Sequence, residues 1–87
     1  MRPMSEADRI RWHCRRGLLE LDLTLAAFME RHFDRLDAGE VERFKRLLEW
    51  PDNDLFDLVM GRTGIEEAGY EGLIERLRES CAQPAGA

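Results

Sequence analysis

Two histidines, two cysteines and 18 acidic residues are the groups in this 87-residue chain with the potential for chemistry. Few are spaced for it. His13 and Cys14 are adjacent, but neighbours on a helix point about 100° apart and make a poor nucleophile–base pair. His32 falls on an apolar stripe at helical spacing, where a histidine is expected to be satisfied or half-buried. The scattered histidines and cysteines do not match a zinc pattern. The run Asp52 to Asp57, "DNDLFD", suggests calcium superficially. It lacks the loop glycine and distal bidentate glutamate of an EF-hand, and acids in a first helical turn suit the helix dipole in any case. Neither a glycine-rich dinucleotide fingerprint nor a Walker motif occurs. One cluster is left, Arg16-Gly17-Leu18-Leu19-Glu20. Its chemistry would be recognition: the glycine admits another protein's backbone, and the flanking charges, with Arg15, offer orienting hydrogen bonds. A purely structural reading stands beside it. Arg16 would end one helix and Glu20 begin the next, each charge suiting its dipole, with Gly17 supplying the turn.

The elements that carry this cluster follow from periodicity. Ser5 and Asp8 form a capping box for a first helix with apolar residues at Ala7, Ile10 and Cys14, and Gly17 as its C′ residue. Trp12 lies off that stripe, partly exposed or on a second contact. Leu19, Leu21, Leu23 and Leu25 alternate like a strand, but Leu18, Leu21, Leu25, Phe28, Met29, Phe33 and Leu36 keep a helical step for nearly twenty residues. The longer periodicity prevails. It predicts a helix from Leu18 to Leu36, with Leu19 and Leu23 on a second apolar strip. Asp37 and Glu40 cap a third helix that Pro51 stops. Asp52 or Asn53 caps a short fourth one, ended by Gly61. Thr63 and Glu66 read as the capping box of a last helix with stripe Tyr70, Leu73, Ile74, Leu77 and Cys81, weakened in its first half by Gly69 and Gly72. The expectation is an all-α compact bundle of about five short helices, one domain over residues 1–87, ordered from about 5 to 81, with flexible ends at 1–4 and 82–87.

The net charge of −5 argues against nucleic-acid binding, which draws its affinity from neutralising phosphates. A helix-turn-helix reader needs a basic recognition helix after a turn, and here the basic helix is the first. Residues 1–17 hold five arginines against two acids, while the rest hold 8 basic and 16 acidic groups. A basic first element on an acidic body suits an oriented protein contact. The two cysteines fit buried thiols better than a disulfide framework. No apolar run reaches the roughly 18 residues that span a bilayer, and a signal-peptide core is absent. The expected location is cytoplasmic.

The stretch "RIRWHCRRGLLELDLTLAAF", followed by "FKRLLEWPDNDLFDLVMG", resembles the small FAD assembly factors of succinate dehydrogenase, the SdhE family, related to mitochondrial succinate dehydrogenase assembly factor 2. Arg16-Gly17-x-x-Glu20 matches the family's signature, with Trp12, Cys14-Arg15 and Leu21-Asp22 around it. The second block matches at Leu47-Leu48-Glu49, Asp52 and Asp54-Leu55-Phe56. The likeness spans about residues 9 to 61. The chain departs from the family pattern at Leu58, where a tryptophan is frequent, and at Trp50. The resemblance implies a chaperone, not an enzyme. It would bind the flavoprotein subunit of succinate dehydrogenase or fumarate reductase and promote covalent attachment of FAD to it, binding no cofactor stably itself. It would insert in no membrane and act as a monomer, with the Trp12 or Leu19 strip able to pair copies weakly. Partner-binding residues by this match are Arg16, Gly17 and Glu20, supported by Arg15, Trp12 and Asp22. A second reading is the antitoxin half of a membrane toxin–antitoxin pair, which related sequences have also been described as.

Overall fold

A computed structural model of the chain describes residues 5–82. The ends expected to be flexible lie outside these residues, except Ala82, which closes the last helix. The described residues form five α-helices and one 3-10 turn, with no strand: α1 Glu6–His13, α2 Leu19–Arg31, a turn at Phe33–Arg35, α3 Ala38–Leu47, α4 Asp52–Val59 and α5 Glu71–Ala82.

Two capping boxes form as their sequences predict. The Ser5 hydroxyl accepts from the Asp8 N–H at 3.1 Å and the Asp8 carboxylate accepts from the Ser5 N–H at 3.3 Å. Asp37 and Glu40 repeat the arrangement at 2.8 and 3.2 Å. Each satisfies backbone donors that a helix start leaves free.

Helix α2 is the central element and packs chiefly along α5. Its Leu21, Leu25 and Phe28 are fully buried with Phe44 and Leu47 of α3, Leu55 and Leu58 of α4, and Leu73 and Leu77 of α5. Ile10 and Cys14 bring α1 into the same core. Phe28 and Phe44 lie 4.6 Å apart, centroid to centroid, at a tilt of 39°, within the range that favours aromatic pairs. Among the described residues two polar side chains are buried, Thr24 and Ser80. Each hydroxyl donates to a carbonyl one turn back, Glu20 at 2.9 Å and Arg76 at 2.8 Å, so neither leaves the core with an unmet donor.

Three boundaries differ from expectation. Helix α2 stops at Arg31 instead of continuing to Leu36, and residues 33–35 tighten into a 3-10 turn. Residues three apart eclipse in that geometry, which keeps Phe33 and Leu36 together against the core. At α4, Pro51 is the N-cap with extended ψ of 149°, and Asp52 is the first helical residue instead of the cap. Helix α5 begins at Glu71, not near Thr63. Gly61 and Gly69 hold φ of +82° and +99°, which only glycine adopts without strain; Gly61 follows Met60, the C-cap of α4, and Gly69 stands two residues before α5. Tyr70 is buried at the N-terminus of α5, and its carbonyl accepts the first helical bond, from Ile74, at 2.9 Å.

Candidate functional site

The signature residues lie in and beside the short connection between α1 and α2, and the structure divides them by direction. Two turn inward. The Arg16 side chain is only 12% exposed. Its Nη1 donates to the Trp50 carbonyl at 2.8 Å and to Asp52 Oδ1 at 3.3 Å; its Nη2 donates to the Leu48 carbonyl, and its Nε donates to the His13 carbonyl at 3.0 Å. The planar guanidinium fork thus closes the C-terminal ends of both α1 and α3, where carbonyls lack helical partners. Asp22, one turn into α2, reaches back over the connection. Its two oxygens accept from the Arg16 N–H at 2.6 Å and the Gly17 N–H at 3.2 Å.

The other residues face solvent. Gly17 is exposed with φ of +82°, and a Cβ built on it meets nothing within 4 Å. The position therefore needs glycine for its backbone angle, while the space beside it is open. Glu20 is exposed in the first turn of α2, and its carboxylate has no ion-pair or hydrogen-bond partner among the described residues. Trp12 is 64% exposed, with the Arg15 guanidinium carbon 6.0 Å from its ring centroid, at the edge of cation–π reach. Leu19, the first residue of α2, is 70% exposed. Gly17 lies three residues beyond Cys14, the C-cap of α1, so the expectation that it serves as that helix's C′ residue is replaced by a separate bend.

A family model described as "Flavinator of succinate dehydrogenase", Sdh5, matches residues 8–81. The chain belongs to this family. A relative from Vibrio vulnificus named "FAD assembly factor SdhE" is 44% identical over 73 residues, covering 84% of this chain and 85% of the relative. A like-named protein of Coxiella burnetii is 39% identical over 84% of this chain and 89% of its own length. One of Methylococcus capsulatus is 35% identical over 94% of this chain and 99% of its own.

In this Sdh5-family chain the groups first weighed for chemistry are not assembled into a reactive set: His32 is half-buried, with its Nε2 3.7 Å from Glu79 and no hydrogen-bond partner among the described residues. Burial pushes the Cys14 thiol up to about 12, against which the charges of Arg16 and Arg11 act only in part. A thiol so disposed stays protonated and is no nucleophile at neutral pH. Asp52 faces Arg16, and Asp57 pairs with Arg62 at 3.1 Å. No group of three or more His, Cys, Asp or Glu among the described residues is placed to hold a metal, and no described helix is long and apolar enough to cross a membrane. Sequence reasoning missed Asp52 and the Leu48 and Trp50 carbonyls as the receptor for Arg16. They lie 32 to 36 residues away, and no local pattern signals a contact at that range.

Proposed function

We propose that this chain binds the flavoprotein subunit of succinate dehydrogenase through the α1–α2 corner and promotes covalent attachment of FAD to that subunit. What carries the proposal is the division within the signature: Arg16 and Asp22 are occupied by their own chain, and Gly17 and Glu20 are left open at a bend they hold fixed. Membership of the Sdh5 family and the printed names of the relatives support the choice of partner. Gly17 is the position of close approach. Glu20 is the polar anchor, with Arg15 and Trp12 beside it, while Arg16 and Asp22 are positioning residues.

The chain is not an enzyme in this reading and holds no resident flavin. Its contribution is conformational: it binds better to a subunit form in which the reacting histidine and the flavin are correctly placed, and so populates that form. Correct placement alone can lower a bimolecular barrier by several kcal/mol. The corner suits that task because its backbone is already ordered, so little entropy is lost on docking.

The test is flavin fluorescence of the denatured flavoprotein after incubation with FAD, with and without the chain. Bound covalent flavin is expected to rise several-fold with the wild-type chain and to stay near the no-chain level with Glu20→Lys, which reverses the charge of an exposed residue without touching the core. Equal labelling in all three samples would contradict the proposal.

A further inference from the structure

Beside the corner runs a groove of about 430 Å³ between α1 and α2, lined by Arg11, Cys14, Arg15, Leu23, Ala26 and Met29, with Asp22 at one end. Its floor is apolar: Cys14 and Met29 are buried, Leu23 is half-buried and Ala26 is exposed. Its rim is cationic. Arg11 and Arg15 are exposed, and neither forms an ion pair among the described residues. The one carboxylate present, Asp22, is already occupied by the N–H groups of Arg16 and Gly17. In a chain of net charge −5, this is an apolar trough edged by two cations that no carboxylate among the described residues pairs with, one of them, Arg15, 6.0 Å from the Trp12 ring centroid.

We infer that this groove is the second half of the docking surface and takes an apolar segment of the flavoprotein subunit that carries a carboxylate beside its apolar residues. The inference rests on the proposed function. The charge complementarity chooses the occupant: an apolar side chain covers Leu23 and Ala26, and an acidic one meets Arg11 and Arg15, whose planar forks suit carboxylates. Arg15 and Asp22 flank Gly17, so the trough runs directly into the corner. Arginine at the edge of an apolar patch is also the composition of an energetically important contact.

The experiment is titration of the purified flavoprotein subunit with fluorescently labelled chain: wild type, the charge-reversed double variant Arg11→Glu/Arg15→Glu, the groove-filling Ala26→Trp, and Gly17→Arg. All four substituted positions are exposed, and circular dichroism checks that each variant is folded. The double variant is expected to weaken binding at least about tenfold and to lose the salt dependence of the wild type; Ala26→Trp weakens it at constant charge. A photo-crosslinking side chain at Ala26 is expected to join a flavoprotein peptide with an Asp or Glu in an apolar run. Groove variants that bind within twofold of wild type while Gly17→Arg fails would overturn the inference and leave the corner standing. Crosslinking to a second copy of the chain would also overturn it. Failure of the wild-type chain to bind the subunit would remove the proposed function, and the groove's role with it.

Discussion

Among the described residues two arginine side chains tie together backbone carbonyls of separate segments, and they do so in different surroundings. Arg16 is largely buried and holds the carbonyls of His13, Leu48 and Trp50 together with Asp52. Arg78, on α5, is exposed and reaches the Leu58 carbonyl at 3.1 Å and the Thr63 carbonyl at 3.0 Å. Both stand near a glycine with φ of +82°, Gly17 in the first region and Gly61 in the second. In the first region a carboxylate, Asp22, accepts from two successive N–H groups of the bend itself, those of Arg16 and Gly17; in the second, Glu71 accepts one N–H, from Gly69 at 3.1 Å, eight residues beyond Gly61. The first bend is therefore clamped on two sides at adjacent residues, whereas the second is a longer connection tied at scattered points. A clamped bend presents its glycine in one geometry, which a docking surface requires; a tied loop only has to close the fold.

The contrast makes graded predictions. Arg16→Ala strips the fork from three carbonyls in partly buried surroundings, and a loss of about 3 kcal/mol in chemical denaturation is expected, since charged hydrogen bonds are worth roughly 1.5–3 kcal/mol each but do not add fully. Arg16→Lys recovers only part of it, because an ammonium cannot span the same set. Asp22→Ala removes the carboxylate that accepts from two backbone N–H groups and costs about 1–2 kcal/mol. Arg78→Ala, at an exposed site, costs about 0.5–1 kcal/mol. An Arg78 variant as damaging as the Arg16 one would break the comparison.

Thiol chemistry sharpens it further. Cys14 sits immediately before the first bend, and its folded value of about 12 exceeds the ordinary 9.0. The folded chain then holds a proton that the unfolded chain releases above pH 9, so stability is unaffected at pH 7 and falls as pH rises from about 9 towards 12. Cys14→Ala should remove that part of the alkaline slope. In the native protein at pH 8, a disulfide reagent is expected to label the half-buried Cys81 and spare the buried Cys14.

Much of this was legible from the chain alone. Capping boxes at Ser5 and Asp37 act over three residues, and the α2 stripe repeats over thirteen, so local rules reach both. The all-helical fold follows from the same short-range patterns, while the family resemblance rests on the Arg16-Gly17-x-x-Glu20 signature and the second block around Asp52. The start of α5 was not legible because Thr63-Gly64-Ile65-Glu66 has the right residue types for a cap, while Gly69 at φ +99°, with the Arg43 guanidinium directly over it, sets the boundary from outside the segment. The signature itself is visible in the sequence, but its internal division is not. Whether Arg16 points outward or inward depends on Leu48, Trp50 and Asp52, which a spacing rule around residues 16 to 20 cannot see. The groove was hidden for the same reason: it joins Arg11 of one helix to Ala26 of the next across the bend.

The most direct test of the clamped, open corner compares two substitutions at one residue. Gly17→Asn keeps a residue that tolerates the left-handed backbone and has a short side chain; Gly17→Arg adds length into the open space. With both chains brought to equal folded concentration, covalent flavin on the denatured flavoprotein is expected to remain near the wild-type level with Gly17→Asn and to fall to the no-chain level with Gly17→Arg. Equal labelling by the two would contradict the claim that another protein's backbone comes to rest against Gly17.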